Sequence, residues 1–401
     1  MIQRPEYLNR IKPFIGKDIV KVLTGIRRAG KSILLKLIKS ELIEQGVSSQ
    51  NIKELNFEEL GISTRPMMEL HDELKQYCDK INEKCYLLLD EVQEVEGWER
   101  LINSLRVSTN SDIYITGSNS KLLSGELATH LAGRYVEFPI YPLSFSEIIN
   151  SKEDQGDSPN REELFRQYIQ WGGMPFIHAN QLDSVSLSTY LRDVYQSVML
   201  KDIVTRYSIR DVELLTRIFN YLFANIAQPF SGTSLIKYLR NEQRSISHET
   251  IYNYIRYAQE AGLVYLAPRM DVRGKQILSS QEKIYIADAG IREAVYGNNQ
   301  RDIGQVLENI VYQELLRRGN NVWIGKVGEK EVDFLAEKQG QKHYYQVTYL
   351  LASPKVVERE FSAFEGIGDN FPKTILSLDK FNLSRDGILH QNIIDFLLEQ
   401  L

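Results

Sequence analysis

An eight-residue segment, Gly25–Ser32, constrains the fold more than any other part of this sequence. The segment matches the pattern GxxxxGK[ST], and its residues are in order Gly25, Ile26, Arg27, Arg28, Ala29, Gly30, Lys31 and Ser32. It lies between an apolar run that predicts a strand, Ile19–Leu23, and a helical pattern, Ile33–Leu42. A strand before the motif and a helix after it are the context in which this pattern forms a phosphate-binding loop. The sequence therefore predicts a loop that wraps around the phosphates of a nucleotide.

Each part of the predicted loop has a chemical role. Gly25 and Gly30 let the backbone turn its N–H groups inward, toward phosphate oxygens. The amino terminus of the following helix adds a partial positive charge. We expect Lys31 to contact the β- and γ-phosphates and the Ser32 hydroxyl to bind Mg²⁺. The expected cofactors are therefore ATP and Mg²⁺.

A second apolar run ends in two acids, as expected for the other half of such a site. Tyr86–Leu89 predicts a buried strand, and Asp90 and Glu91 follow it directly. We expect Asp90 to hold Mg²⁺, directly or through water. Glu91 is predicted to polarise the attacking water, either as a general base or as a positioning group. A carboxylate in that place would distinguish a hydrolase from a protein that only holds the nucleotide.

Two further positions are candidates for the same site. The strand Ile113–Thr116 runs into small polar residues, and Asn119 or Ser118 is expected to lie between the water and the γ-phosphate; a plain turn is the alternative. Arg134 precedes another strand and is either an arginine finger or a surface ion-pairing residue. A finger that acts across subunits would require a homo-oligomer.

Arg27 and Arg28 occupy variable positions of the phosphate-binding loop. Loop positions of this kind usually face solvent. The two arginines are expected either to add affinity for phosphate or to contact a neighbouring domain.

The apolar pattern predicts an α/β fold over residues 1–150, because buried strands alternate there with helical stretches. Trp98–Val107 is another such helix, and the predicted strands include Ile52–Phe57 and Val136–Tyr141. The polar stretch 151–163 predicts a surface connection. We expect three regions: a nucleotide-binding domain at 1–150, a helical region at 151–280 and an α/β domain at 281–401.

Several segments resemble a known family. GIRRAGKS, LLLDEVQEVEGWE, TGSNSKLLSGE and LAGRYVEFPIYPLSFSE resemble the AAA+-like P-loop ATPases of bacteria and archaea that carry a C-terminal domain of unknown function. The likeness continues through WGGMPF (171–176), KIYIADAGIR (283–292), LENIVYQELLRRG (307–319) and KEVDFLAE (330–337). The resemblance implies an AAA+-like parallel-sheet domain, a helical and winged-helix middle, and a small tail with a restriction-endonuclease-like core.

The middle region has the pattern of a winged helix at about 210–275. Two capped helices, the second with Ile251, Tyr254 and Ile255 on its inner face, precede a strand and a hairpin. In a DNA-binding version the second helix enters the major groove and the wing contacts the backbone. The residues that could supply such contacts are Arg256, Arg269, Arg273 and Lys275. The alternative is a module that only packs within the protein.

The C-terminal region has the spacing of a metal-dependent nuclease core with two replaced positions. Glu308 lies on a helical stretch and Asp333 on a strand, but Gln346 and Thr348 stand where a second acid and a lysine belong. A neutral amide binds Mg²⁺ more weakly than a carboxylate does, and threonine carries no charge to activate water. We therefore expect a retained fold that docks nucleic acid or protein, and no nuclease activity.

Composition excludes several other classes of protein. The formal net charge of −5 argues against a sequence-independent DNA coat, although a local basic patch is compatible with it. Two cysteines, Cys78 and Cys85, are too few for a disulfide framework and are expected in a reduced core. The amino-terminal residues show no apolar signal segment, and no run of about 18 apolar residues occurs. These features predict a cytoplasmic protein that does not contact a membrane.

The leading hypothesis is ATP hydrolysis that drives a conformational switch, with nucleic acid as the target. One alternative is a nucleotide-gated scaffold or regulator that binds protein partners and hydrolyses ATP slowly. An ATP-powered, metal-dependent nuclease is a third hypothesis, and the replaced positions in the C-terminal region argue against it.

Overall fold

A computed structural model describes residues 1–117, 131, 133–241, 246–274 and 276–399. The predicted site residues Ser118 and Asn119, and the predicted wing residue Lys275, lie outside the described residues. The chain divides into two compact units. The first comprises Met1–Pro142 and Glu260–Gly262, and the second comprises Leu143–Gln259 and Leu263–Leu401.

The first unit is a parallel sheet with helices on both faces. Its helices are α1 (Pro5–Ile11), α2 (Lys31–Glu44), α3 (Leu60–Ser63), α4 (Met67–Asp79) and α5 (Trp98–Ser108). Short 3₁₀ turns occur at Lys12–Phe14, Ser49–Asn51 and Val92–Glu94. Its strands are β1 (Val20–Thr24), β2 (Ile52–Asn56), β3 (Cys85–Asp90), β4 (Ser111–Thr116) and β5 (Tyr135–Pro139). The strand order is β2-β3-β4-β1-β5, all parallel, which confirms the predicted α/β class.

The apolar core explains why these segments form strands. Every residue of β1 is buried, because helices cover both faces of the sheet. Val22, Leu87 and Ile113 from three strands pack with Leu101 and other residues of the helices in one core cluster. The carboxyl ends of parallel strands lie at one edge of a sheet, so the segments that follow β1, β3 and β4 meet there.

The two cysteines lie in the core, as expected, and their reduced state stays a prediction. Cys78 and Cys85 are both buried and free, with their sulfur atoms 2.7 Å apart.

The second unit begins with helices. They are α6 (Phe145–Glu153), α7 (Arg161–Trp171), α8 (Pro175–Ala179), α9 (Ser184–Ser197), a π-helix (Val198–Thr205), α10 (Val212–Ala224), α11 (Gly232–Asn241) and α12 (His248–Glu260). The inner face predicted for α12 is confirmed, since Ile251, Tyr254 and Ile255 are buried. Among the described helices of the chain, none combines the length and the apolarity needed to cross a membrane.

A seven-stranded mixed sheet completes the second unit. Its strands are β6 (Val264–Asp271), β7 (Gln276–Ile286), β8 (Asn321–Val327), β9 (Lys330–Lys338), β10 (Gln341–Val347), β11 (Lys373–Ser377) and β12 (Leu389–Asn392). Its helices are α13 (Ala289–Val295), α14 (Ile303–Arg317), α15 (Pro354–Ser362) and α16 (Ile393–Leu398). The strand order is β12-β11-β10-β9-β8-β6-β7.

The hairpin predicted as a wing is part of this sheet. β6 pairs with β7 in antiparallel fashion and with β8 in parallel, in the register Arg269↔Ile324. The expected limit between residues 280 and 281 therefore falls inside β7, and the limit at residue 150 falls inside α6. The hairpin and the C-terminal strands share one hydrogen-bonded framework.

The segments WGGMPF and DAGIR hold the helices against the sheet. The buried Asp288 carboxylate caps α13 and also accepts the Gly173 N–H at 2.7 Å. Gly172 has a φ of +70°, and a Cβ atom there would lie within 2.5 Å of the Asp288 carboxylate, so glycine is required. The Arg292 guanidinium is fully buried and bonds the Phe223 carbonyl at 2.8 Å. These contacts give both segments a structural role.

Candidate nucleotide site

The phosphate-binding loop adopts backbone angles that only its glycines tolerate easily. Gly25 has a φ of +137°, and a Cβ atom there would lie 2.1 Å from the Ile140 carbonyl oxygen. Gly30 has a φ of +98° and caps the start of α2. Arg28 has a φ of +66°, so this exposed arginine also takes a left-handed conformation. The close approach of Ile140 makes Gly25 irreplaceable by any residue with a side chain.

Lys31, the first residue of α2, lies over the loop. Its ammonium group donates hydrogen bonds to the carbonyl oxygens of Gly25 at 3.0 Å and Ile26 at 3.3 Å. Only 4% of Lys31 is exposed. Ser32 follows in the first turn of the helix, where its hydroxyl lies beside the amino terminus of α2.

The amino-terminal segment contacts the phosphate-binding loop and stabilises it, a role that sequence reasoning missed. The buried Arg4 guanidinium donates to the Ala29 carbonyl at 3.1 Å and to the Tyr141 carbonyl at 2.9 Å. It also lies 4.4 Å from the centre of the Tyr7 ring. Arg4 thus ties the phosphate-binding loop to the segment that follows β5. Only tertiary structure reveals this role, because Arg4 lies in a polar amino-terminal stretch.

The two predicted acids lie at the end of β3, where Thr116 at the end of β4 orients both. The Thr116 hydroxyl donates to the Asp90 carboxylate and accepts the Glu91 N–H at 3.0 Å. Glu91 has a φ of +54°, which turns the chain sharply after the strand. Thr116 is fully buried and was also missed in the sequence. The feature of the sequence that could have indicated Thr116 is its position at the end of the predicted strand Ile113–Thr116.

The electrostatic environment of Glu91 indicates that the phosphate-binding loop and the end of β3 lie close to each other. Burial raises the pKa of the Glu91 carboxyl, while the positive charges of Lys31 and Arg27 and a hydrogen bond from Gln93 oppose that rise. The Lys31 ammonium is therefore close enough to influence Glu91. A carboxyl with a raised pKa is a better proton acceptor than an ordinary glutamate.

Arg134 does not join this site in its own chain. Its carbonyl accepts the Val20 N–H at 3.0 Å, which places it at the amino ends of β1 and β5. The phosphate-binding loop follows the carboxyl end of β1, beyond the Thr24↔Pro139 pair. The exposed Arg134 side chain instead donates to Asn103 at 3.3 Å. An arginine finger acting within one chain is therefore wrong, and a role in a second subunit stays a prediction.

The chemistry of the donor groups fits ATP and Mg²⁺. Mg²⁺ bound to a nucleotide takes one or two protein oxygens and completes its shell with phosphate and water. Ser32 and Asp90 supply a hydroxyl and a carboxylate of that kind. Among the described residues, no three His, Cys, Asp or Glu side chains are grouped to hold a metal on their own.

The nuclease-like positions of the second unit surround a buried lysine. Glu308 lies on α14 and Asp333 on β9, as the sequence predicted. The Lys283 ammonium group, from β7, lies 2.8 Å from Glu308, 2.9 Å from Glu331 and 3.4 Å from Asp333. Sequence reasoning missed Lys283, which directly precedes the apolar end of β7, Ile284–Ile286.

The remaining polar groups of this cluster bond one another. Gln346 accepts the Asp333 N–H at 3.2 Å and donates to Glu360 at 2.9 Å. The lysines considered from the sequence lie in other ion pairs, Lys330 with Glu365 at 2.6 Å and Lys342 with Glu337 at 4.0 Å. An ammonium group among the carboxylates supplies the positive charge that a metal would bring to a nuclease.

Two of the four basic residues predicted to contact DNA, Arg269 and Arg273, form bonds with other residues of the second unit. Arg269 is 9% exposed and forms an ion pair with Glu331. The Arg273 guanidinium donates to the Gly366 carbonyl at 3.2 Å. The buried ion pair of Arg269 argues against a DNA contact by this residue, and a contact by the exposed Arg273 stays a prediction. Arg256 on α12 is exposed.

Comparisons with known proteins identify two domains in this chain. A family model described as an AAA domain matches residues 17–149, and a domain of unknown function (DUF8612) matches residues 162–302. The second match covers the helices and the β6–β7 hairpin and ends before β8, so the restriction-endonuclease-like core stays a prediction.

A solved structure, the Walker-type ATPase PABY2304 of Pyrococcus abyssi, matches with a TM-score of 0.50 at 14% identity. The match covers 74% of this chain and 96% of that one. At that identity the likeness concerns the fold alone. Fold and site together define the class as a P-loop ATPase with an AAA domain.

Relatives in sequence extend over the whole chain. An uncharacterized protein of Haemophilus influenzae is 37% identical over 100% of this chain and 99% of its own length. An uncharacterized protein of Methanocaldococcus jannaschii, MJ1544, is 32% identical over 91% of this chain and 81% of its own. The chain therefore belongs with these proteins to a family of AAA-domain P-loop ATPases that carry a domain of unknown function.

Proposed function

We propose that this protein hydrolyses ATP in a Mg²⁺-dependent reaction and uses the reaction to switch its conformation on nucleic acid. The observation that carries the first part is the Thr116 contact with both acids, together with the effect of Lys31 on Glu91. A protein that only held its nucleotide would not need a carboxylate this close to the lysine of the phosphate-binding loop.

In the proposed reaction the loop N–H groups and Lys31 bind the β- and γ-phosphates. Ser32 and Asp90 would hold Mg²⁺, which would supply positive charge beside the phosphates. Glu91 takes a proton from the attacking water or orients it, and the raised pKa of its carboxyl suits proton acceptance. Thr116 keeps both acids in place.

The proposed link to nucleic acid rests on a patch of aromatic rings and arginines in the second unit. The rings of Tyr207 and Tyr257 stack with centroids 3.7 Å apart. The Arg206 and Arg256 guanidinium groups each lie 5.4 Å from the centre of the tyrosine that follows them. We call these four residues the tyrosine–arginine patch. Guanidinium groups bind phosphate and aromatic rings stack on bases, so the patch combines both modes of single-strand recognition.

The test measures steady-state ATP hydrolysis with and without single-stranded DNA or RNA. We expect Lys31→Ala to abolish turnover under all conditions. Nucleic acid should raise wild-type turnover several-fold, and Arg256→Gln should remove this increase while leaving the basal rate. Arg217→Gln is the matched control, because Arg217 is an arginine on α10, ion-paired to Glu213 and outside the patch. A rate of ATP hydrolysis that nucleic acid does not change at any salt concentration would contradict the proposed link to nucleic acid.

A regulator that binds a protein partner is the second candidate function. The burial of Arg269 and its ion pair with Glu331 favour it, because they withdraw one of the candidate DNA-contacting groups from the surface. This candidate predicts tight ATP binding with turnover well below about 1 s⁻¹, the low end of ordinary enzyme rates. A protein partner, and not DNA, would then stimulate hydrolysis.

The third hypothesis, a nuclease, finds less support in the structure than it had from the sequence. Lys283 neutralises the carboxylates that would bind a metal, and Gln346 is bonded to Glu360. We expect no cleavage of plasmid or single-stranded DNA with Mg²⁺ or Mn²⁺. Cleavage that Asp333→Ala abolishes would contradict this expectation.

A further inference from the structure

The second unit contains a cavity of about 650 Å³ that the nucleotide site does not use. It lies where three neighbouring parallel strands end. β10 pairs in parallel with β11, and β11 pairs in parallel with β12. Tyr349 and Leu350 follow β10, Leu378 and Lys380 follow β11, and Asn392 ends β12, and all five line the cavity. The carboxyl ends of parallel strands are a preferred place for ligands in α/β sheets.

One face of α7 forms the opposite wall. Arg161, Phe165 and Ile169 are spaced four residues apart, so they lie in a row along the helix, and all three line the cavity. Phe165 and Ile169 are buried. Together with Leu350 and Leu378 they give the cavity an apolar interior. A volume between about 300 and 1,000 Å³ with largely apolar walls is typical of small-molecule sites.

Positive charges stand at the opening. Arg161, Arg166 and Lys380 line the cavity, and more than half of each side chain is exposed. Two carboxylates, Glu162 and Asp395, also line it, and Arg161 and Arg166 each have a further glutamate as partner, Glu153 and Glu163.

The ion pairs of these cations leave hydrogen-bonding capacity. Lys380 pairs with Glu162 at 2.5 Å and Arg166 pairs with Glu163, whereas Arg161 is 3.9 Å from its partner Glu153. A guanidinium group has five N–H donors, so one ion pair leaves most of them for a ligand. Arginine is suited to carboxylate and phosphate because it can donate two parallel hydrogen bonds.

The loops at the rim are fixed before any ligand binds. The Asp379 carboxylate accepts the Leu351 N–H at 2.7 Å and the Ser377 hydroxyl at 2.8 Å. The Asp379 carbonyl accepts the Asn392 side-chain amide at 3.1 Å. One residue thus ties together the segments that follow β10, β11 and β12. A preformed rim lowers the entropy lost on binding.

We propose that this cavity binds a small organic anion, a molecule with an apolar or aromatic body and one carboxylate, phosphate or sulfonate group. The body lies against Phe165, Ile169 and Leu378, and the exposed ring of Tyr349 covers it. The anionic group meets the Arg161 and Arg166 guanidinium groups at the opening. The site is separate from the phosphate-binding loop, and the proposal stands whether or not the protein hydrolyses ATP.

The test is a fluorescence titration of the full chain with 8-anilinonaphthalene-1-sulfonate, an aromatic anion. N-phenyl-1-naphthylamine, which has the same body without the sulfonate, is the matched probe. Each titration is run without and with saturating Mg·ATP, which occupies the nucleotide site. We expect the wild type to bind one equivalent of the sulfonate probe.

Three variants separate the two halves of the site. The double change Arg161→Gln and Arg166→Gln should weaken sulfonate binding about tenfold, since each exposed charge pair contributes up to about 1 kcal/mol. It should leave binding of the uncharged probe within twofold. Leu350→Trp fills the cavity and should remove binding of both probes. Lys355→Gln removes an exposed positive charge on α15, away from the cavity, and should change neither.

Equal binding of the sulfonate probe to the wild type and the double variant would overturn the proposal. Displacement of the probe by Mg·ATP would also overturn it, because the probe would then lie in the phosphate-binding loop. The double variant changes only exposed side chains, so the test remains decisive if Leu350→Trp fails to fold.

Discussion

Replacing Thr116 by valine tests whether this residue sets the geometry of both acids. Valine has nearly the same shape as threonine and lacks the hydroxyl that donates to Asp90 and accepts the Glu91 N–H. Thr116 is fully buried, so the substitution exposes no new surface. The change therefore removes two hydrogen bonds and little else.

The magnitude follows from those two bonds. A hydrogen bond to a charged group contributes about 1.5–3 kcal/mol, and an unpaired buried N–H costs about 1–3 kcal/mol. If about 2 kcal/mol of this is lost in the transition state, kcat falls about 30-fold. The affinity for ATP should change less than about threefold, because neither hydrogen bond of Thr116 involves the phosphate-binding loop or Lys31.

The assay is steady-state phosphate release at saturating Mg·ATP, with ATP affinity measured by titration of a fluorescent nucleotide. Thr109→Val is the matched control. Thr109 lies just before the amino-terminal end of β4, and its hydroxyl donates a hydrogen bond to the Leu105 carbonyl at 2.6 Å. A kcat for Thr116→Val within twofold of the wild type, in a protein that remains folded, would refute the role assigned to Thr116.

Three further substitutions test other parts of the structure. Gly25→Ala should abolish ATP binding, measured by nucleotide titration, because its Cβ atom would lie 2.1 Å from a carbonyl oxygen; Gly61→Ala, with nothing within 4 Å, should bind normally. Lys283→Met should lower the free energy of unfolding by about 3–5 kcal/mol in urea titrations, since it leaves buried carboxylates without their cation, whereas Lys342→Met should have little effect. Burial lowers the pKa of His178 from 6.5 to about 4, so the unfolded chain binds a proton between those values that the folded chain does not. The free energy of unfolding should therefore fall as the pH drops from 6.5 to 4, and His178→Gln should show a smaller fall.

The parts of the site that sequence reasoning found depend on short-range patterns. The phosphate-binding loop, β1 and α2 are contiguous, so the motif and its flanking apolar periods identified them together. Asp90 and Glu91 directly follow a continuous apolar run, which marked the end of a buried strand. The predicted strands of the first unit all exist, with ends that differ by one or two residues.

The parts that sequence reasoning missed depend on which strands are neighbours. Thr116 reaches Asp90 because β4 lies next to β3, and Arg134 is remote from the loop because it precedes β5. Lys283 joins Glu308 and Asp333 only when β7, α14 and β9 come together. A single sequence contains no signal for such contacts, since the residues are separated by 25 positions or more.

The predicted wing is a second case in which the sequence did not show which strands are neighbours. Helix, turn, helix and hairpin were all present in the expected order, but the β6–β8 pairing placed the hairpin in the C-terminal sheet. Arg269 and Arg273 consequently bond to the protein itself. The local pattern correctly indicated the elements, and the pairing of β6 with β8 decided what Arg269 and Arg273 contact.

The central claim is that Glu91 activates water for ATP hydrolysis in a site built by Gly25–Ser32 and Asp90. The most direct test measures ATP binding and phosphate release side by side for the wild type and Glu91→Gln, with Mg²⁺. The account predicts unchanged ATP affinity in the variant and turnover reduced at least about 100-fold, the scale of general-base catalysis. A Glu91→Gln protein that hydrolyses ATP at the wild-type rate would contradict it.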